Sequence, residues 1–313
     1  MGEKLYARDA YGKALVALGK ENPNIVVLDA DLSGSTRTAM FAKEFPERFF
    51  NFGVAEQNMM ATAAGLASCG KTVFASTFAI FASGRAWDQV RNSICANNFD
   101  VKIVATHGGI TVGPDGCSHH AIEDIALMRA IPDNMTIIVP VDAQETTQAI
   151  FAAVKNPGPM YIRLGRAKTP TIESKAEFKI GKAYCLRQGK DITIIACGIM
   201  VEQALLASQE LAKGGIDARV INMHTIRPVD SEVIINACKE TKGIVVCEEH
   251  VINGGLGSAI DDVVLAHKPI YVNRIGIDNR FGQSGESEEL LEEYGLTAGR
   301  IVESAKGLLD KYS

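Results

Sequence analysis

The apolar positions of this chain change their period along its length, from short unbroken runs to longer stretches that repeat every three to four residues. Residues 25–28, 72–76, 101–106, 135–139 and 160–164 are β-branched or continuously apolar, the pattern of strands buried on both faces of a parallel sheet. Between them, residues 8–20, 56–68, 81–97, 121–129 and 143–155 carry helical spacing, so the first half repeats the strand and helix order of a doubly wound fold.

The alternation breaks over residues 166–182, RAKTPTIESKAEFKIGK, where Pro170 and scattered charges predict an exposed connector. It restarts with predicted strands at 191–196, 218–222, 243–247 and 270–275 and helices at 201–213, 231–240 and 256–266, a smaller α/β domain of four or five strands. The expected class is therefore two α/β domains, 1–174 and 175–313, and the length of 313 residues suits two such cores.

Composition narrows the class of function. Hydrophobic residues at 47% and charged residues at 22% describe a folded globular chain rather than a disordered one. No apolar run approaches the roughly 20 residues of a membrane-spanning helix. The charged start at 1–8 lacks the hydrophobic stretch of an export signal, so the expected compartment is the cytoplasm and no membrane partner is expected. The seven cysteines are scattered and never spaced C-x-x-C, which signals neither a disulfide framework nor a zinc site. A formal charge of −5 without a basic run argues against nucleic-acid binding.

Three segments look chemical. In THGGITVGPDGCSHHAIEDIALMR, residues 106–129, a buried strand runs into a Gly-rich loop, at the carboxyl end where α/β sheets bind ligands. His107 follows the strand directly, Asp115 lies in a Pro-Asp-Gly turn, and His119 and His120 stand before a helix whose cap and first turn carry Glu123 and Asp124. Titratable groups so placed suggest a site. The plainer reading is a surface turn in which Asp115 and Ser118 cap the next helix. In NFGVAEQNMMATAAGLASCG, Glu56 opens an apolar helix where its carboxylate could be shielded from water, although a glutamate in a first turn commonly only complements the helix dipole. In STFAIFASGRAWDQVRN, Phe78 and Phe81 are three apart, a spacing that serves core packing more often than ring stacking on a ligand.

In order and spacing, these three segments together resemble the pyrimidine-binding domain of transketolase, and ITIIACGIMVEQALLASQEL with ARVINMHTIRPVD resembles the transketolase carboxy-terminal domain. The resemblance implies thiamine diphosphate as cofactor, with Glu56 of GVAEQNM bonding its aminopyrimidine ring, Phe81 stacking on that ring and Phe78 lining the same pocket. It implies that His107, Asp115 and His119 bind the hydroxyls and carbonyl of a sugar, with Glu56, His107 and His119 as the catalytic set. Arg8 in YARDA, Ser35 in DADLSGS and Arg166 in YIRLGR match groups that hold a sugar phosphate, and a guanidinium pair suits phosphate because each meets it bidentately. Asp31 is assigned loosely to the cofactor pocket or a subunit contact. The chain departs from the family's approximate THDSIGxGEDGPTHQ loop at Cys117 and His120, which touches substrate preference.

No GDG segment of the family's diphosphate and metal site occurs in these residues, and no metal ligand is assigned to this chain. The expectation is a split transketolase, in which a larger amino-terminal subunit holds Mg²⁺ or Ca²⁺ and an α2β2 heterotetramer forms, although a truncated chain gives the same pattern. The expected reaction moves a two-carbon ketol unit between sugar phosphates. Rival readings are a deoxyxylulose-phosphate synthase, a 2-oxoacid dehydrogenase β subunit and a non-catalytic regulatory homologue. A nucleotide-binding oxidoreductase lacks its G-x-G-x-x-G here. His224, Glu248, Glu249, His250 and the turn at Gly254 are expected to be structural or interfacial.

Overall fold

The computed structural model describes residues 2–173 and 177–312, so the expected domain boundary at Ser174 lies outside the described residues. The first half runs β1 (Lys4–Tyr6), α1 (Ala7–Glu21), β2 (Ile25–Asp29), α2 (Ser33–Thr36), α3 (Ala39–Glu44), β3 (Phe49–Asn51), α4 (Glu56–Ser68) and β4 (Thr72–Phe78), then π-helical turns at Phe81–Arg85 and Gln89–Cys95. It continues through β5 (Val101–Thr106), α5 (Asp124–Arg129), β6 (Thr136–Ile138), α6 (Ala143–Lys155), β7 (Met160–Arg163) and β8 (Lys168–Pro170). The second half runs β9 (Tyr184–Arg187), β10 (Ile192–Ala196), α7 (Met200–Lys213), β11 (Ala218–Asn222), β12 (Thr225–Arg227) and α8 (Ser231–Glu240). After these come β13 (Gly243–Val251), α9 (Leu256–His267), β14 (Tyr271–Ile277), α10 (Ser287–Glu293) and α11 (Ala298–Leu309).

The main sheet has the order β12-β6-β7-β5-β4-β2-β3, parallel except at β12. Its strands read as continuous apolar runs because both faces are covered. On β2, Ile25 and Val27 pack with Tyr11 and Leu15 of α1, while Val26 and Leu28 pack with Met59 and Met60 of α4. Each such fully buried side chain contributes about 1.5–3 kcal/mol relative to exposure. The second sheet, β14-β13-β10-β11-β9, is parallel with an antiparallel edge at β9. No described helix is long and apolar enough to cross a membrane.

Four details depart from the sequence pattern. The stretch read as a connector contributes β8, which pairs antiparallel with β1, and Tyr6 between them carries Arg8 and Lys168 over its ring at 4.8 and 5.1 Å. Strand β12 belongs to the second half by sequence yet closes the first sheet, pairing with β6. The helix expected over 121–129 begins only at Asp124, since the Ala121 and Ile122 carbonyls accept from Gly109 and Val251 N–H groups at 2.8 and 2.7 Å instead of opening a helical ladder. The helix expected over 81–97 is wound partly as wide π turns, and Arg85 comes to lie over the Phe81 ring at 4.0 Å.

Candidate active site

The carboxyl ends of β4 and β5, two interior strands, place an aromatic cluster at the carboxyl end of the main sheet. Phe78 ends β4, and its ring stacks on that of His107 with centroids 3.8 Å apart. Phe81, on the following turn, stacks on Phe78 at 5.8 Å and meets the edge of His119 at 5.4 Å. The spacing of Phe78 and Phe81 left core packing open; the structure buries Phe78 but leaves Phe81 half-buried against a histidine.

His107 leaves β5 with φ of 61°, a left-handed backbone that turns the loop back over the sheet end. Thr106 Oγ1 lies 2.9 Å from its Nδ1. Burial, then the Arg8 and Arg166 guanidinium groups and His119, push its pKa down to about 3, so the ring is neutral at ordinary pH. His119 is half-buried, with Nδ1 3.0 Å from Ser118 Oγ. His120, where the resembling pattern has glutamine, points inward, and its Nε2 donates to the Gly113 carbonyl at 3.1 Å, so it braces the loop. Its Nδ1 is buried without a partner, and burial lowers its pKa. Asp115 stands exposed at the loop tip, and its charge acts on His120 rather than on His107.

Glu56 opens α4 and is buried at 4% exposure. Arg85 Nη1 donates to its Oε1 at 2.8 Å while the same guanidinium lies over Phe81, which joins the carboxylate to the aromatic cluster. Arg85 was not among the residues singled out from sequence, and the π-helical register that places it there has no sequence signature.

Arg8, in the first turn of α1, and Arg166, just past the end of β7, both lie near His107. Arg166 Nη1 donates to the Val112 carbonyl at 2.8 Å, and Arg8 Nη1 approaches the Ser35 carbonyl at 3.5 Å. Ser35 donates its N–H to the Leu32 carbonyl at 2.8 Å in a turn organised by Asp29, a fully buried carboxylate at the end of β2 that accepts from Leu32 N–H and from the Thr36 and Thr38 hydroxyls at 2.6, 2.7 and 2.9 Å. Burial and then Arg37 lower the Arg8 pKa, and its Nε is buried without a partner, so an anion would satisfy both its charge and its donor. Asp31, with φ of 64°, accepts from Asn51 Nδ2 at 3.4 Å and lies exposed beside β3. A cavity of about 830 Å³ opens on Arg8, Arg166 and Thr111 and is closed on the far side by Gln203, Ser287 and Thr297 of the second half. Glu56, Phe78, Phe81, His107 and His119 do not line that cavity.

The second half supplies no reactive group to the cluster but holds its frame. Glu248 accepts from Leu256 and Gly257 N–H groups at 2.7 and 2.8 Å, and His250 Nε2 accepts from Ala126 N–H at 3.3 Å. His224 packs on the rings of Phe178 and Tyr184. These contacts within the chain give Glu248, His250 and His224 packing and backbone-holding roles. Among the described residues no group of three or more His, Cys, Asp or Glu side chains is arranged to hold a metal ion.

Comparison with known proteins gives this geometry a family. Residues 3–171 match the transketolase pyrimidine-binding domain and residues 181–301 the transketolase C-terminal domain. A putative transketolase C-terminal section from Methanocaldococcus jannaschii is 52% identical over 96% of each chain. The 6-deoxy-6-sulfo-D-fructose transketolase subunit SqwH from a Clostridium species is 40% identical over 99% of this chain and 96% of its own. A solved structure described as a split gene transketolase, inactive beta4 tetramer, superposes with a TM-score of 0.91 at 50% identity over 98% of this chain and 99% of that one. Against the Homo sapiens transketolase, by contrast, the match covers 99% of this chain but only 50% of the longer protein, at 36% identity. With both of its domains matched and the archaeal and clostridial relatives aligned nearly end to end, the chain belongs to the transketolase family.

Proposed function

We propose that this chain is the small subunit of a split transketolase, carrying the glutamate that activates thiamine diphosphate, and that with a larger partner it transfers a two-carbon ketol unit from a ketose phosphate to an aldose phosphate. The observation that carries the reading is the convergence of a buried carboxylate, a stacked aromatic pair and two histidines beside two arginines.

The residues present fit the cofactor's aminopyrimidine. The Arg85 guanidinium, a flat amidine-type cation, rests on the Phe81 face while donating an N–H to Glu56, so a planar N–H-bearing group is already accommodated between ring and carboxylate. When bound, thiamine diphosphate supplies the nucleophilic carbon that accepts the ketol unit. The Glu56 carboxylate would accept the hydrogen bond of the bound pyrimidine nitrogen and hold its proton, a role worth about 10²–10⁴-fold in rate. Phe81 and Phe78 orient the ring. His107, neutral and bonded through Nδ1 to Thr106, offers Nε2 to the sugar's hydroxyl or carbonyl, and His119 faces the same space across Phe81. Arg8 and Arg166 hold the anionic tail. Replacing Arg166 with alanine should raise KM for the phosphorylated sugar roughly 10- to 100-fold with kcat little changed, the loss of a charge-assisted contact of about 1.5–3 kcal/mol.

The partner would hold the diphosphate and Mg²⁺ or Ca²⁺ in an α2β2 assembly. The names "C-terminal section" and "subunit" carried by the full-length relatives support a separate chain, and the name of the superposed beta4 tetramer supports a free chain that self-associates without activity. The deciding experiment measures ketol transfer from xylulose 5-phosphate to ribose 5-phosphate with thiamine diphosphate and Mg²⁺, for this chain alone and mixed with a candidate large subunit. Turnover only in the mixture is expected. A mixture that assembles but decarboxylates pyruvate would move the activity to a rival class. Preference for 6-deoxy-6-sulfo-D-fructose over the phosphate would assign the arginine pair to a sulfonate, as the name of the clostridial relative suggests.

A further inference from the structure

The loop that carries His107 is shaped by side chains from outside it. A Cβ on Gly108 would lie 2.7 Å from Arg163 Nε, and a Cβ on Gly109, whose φ is +87°, would fall inside the Glu249 carboxylate. The two glycines are therefore the places where the loop passes over Arg163 of β7 and Glu249 of β13. Glu249 Oε1 accepts from Thr111 N–H at 2.7 Å, and Ser287 Oγ donates to the Thr111 carbonyl at 2.8 Å, so both backbone groups of Thr111 are held by the second half of the chain. Arg163 Nη2 donates to the Glu249 carbonyl at 3.0 Å and to the Ala121 carbonyl at 2.9 Å, while its Nε pairs with buried Asp124 at 2.8 Å.

The choice of partner is informative. A carboxylate at 5% exposure beside a buried arginine would serve the fold by pairing with it, yet that guanidinium goes to Asp124 and to carbonyls, and a Glu249 oxygen goes to a loop amide. Burial opposes the charge of Glu249, whereas Arg163 and the bonds from Thr111 favour it. Four residues upstream of that amide, His107 holds a left-handed backbone that an L residue seldom keeps without support from its surroundings.

We propose that Glu249 is a positioning residue for the substrate loop: through the Thr111 N–H it sets the backbone that aims His107, and the second domain thereby tunes the sugar site without touching the sugar. This rests on reading His107 as a substrate-binding group. The test uses the assembled enzyme. Glu249→Ala should raise KM for the sugar phosphate at least about tenfold with thiamine diphosphate affinity within about twofold of wild type, since a misplacement of ~1 Å at a reacting group costs on the order of 10²-fold. Amide exchange across residues 107–113 should accelerate while β10 and β13 stay protected. Glu249→Gln keeps an oxygen for the Thr111 N–H and should restore both readouts. Should Glu249→Ala not fold, Gly109→Ala presses the loop off the same carboxylate and should give the same KM and exchange signature. Unchanged KM and exchange, a glutamine variant as impaired as alanine, or exchange rising equally through the second domain would overturn the proposal. If the wild-type assembly transfers no ketol unit, the functional reading falls and the exchange comparison alone decides the positioning role.

Discussion

Glu56 and His107 show how burial rather than residue type sets the chemistry of this site. A carboxylate at a helix start is ordinary; one at 4% exposure that shares a guanidinium with an aromatic ring is a built acceptor. Glu56→Gln should leave secondary structure and assembly unchanged and lower kcat by about 10³-fold, the scale of a lost proton relay; circular dichroism, sizing and steady-state turnover check it. His107 titrates near 3 rather than its ordinary 6.5, so as pH falls through that interval the unfolded chain takes up a proton that the folded chain refuses. Its contribution to stability is therefore present above 6.5 and lost progressively toward 3. NMR titration should show a His107 ring that stays neutral down to about pH 4, and His107→Gln should flatten this part of the stability profile.

At the scale of elements, the loops that follow strands are held by buried carboxylates whose bonds go to backbone N–H groups. Asp29 does so for the turn that carries Ser35, and Asp142 does so at the start of α6. Asp142 accepts from Glu145 N–H at 2.8 Å as an N-cap and from Ile172 N–H at 2.7 Å, which ties the chain beyond β8 to the helix. Asp142→Ala should cost about 1–3 kcal/mol, read as a lower urea midpoint at unchanged slope, because both donors lose a buried acceptor. Helix and strand cores were legible from periodicity: helices 56–68, 143–155 and 231–240 and strand 218–222 occur over the residues expected. Strands β1, β8, β9 and β12 were not, because each is short and lies at or near a sheet edge, where a few residues carry no period that rises above a polar surrounding.

At the scale of the molecule, the two halves are one mechanical unit. Strand β12 closes the first sheet, and Arg163, Asp124 and Tyr161 form a buried network that reaches the Glu249 carbonyl of the second half. Removing the arginine leaves Asp124 as an uncompensated buried charge, so Arg163→Ala should cost about 3–5 kcal/mol. Calorimetry should show a single cooperative transition in the wild-type chain and, in the variant, a lower and broader one as the halves uncouple.

The sequence by itself determined the α/β class, the strands of the two parallel cores and a family resemblance that pointed to Glu56, Phe78, Phe81, His107 and His119, because buried periodicity and ligand-facing loops are written locally. Only the tertiary structure decided that Arg85 answers Glu56, that His120 braces the loop while Asp115 stands outside it, and that Glu249 reaches back across the chain to Thr111. Those pairings join residues 29, 7 and 138 positions apart or depend on which way a side chain turns, and a contact made by folding leaves no period or spacing to read.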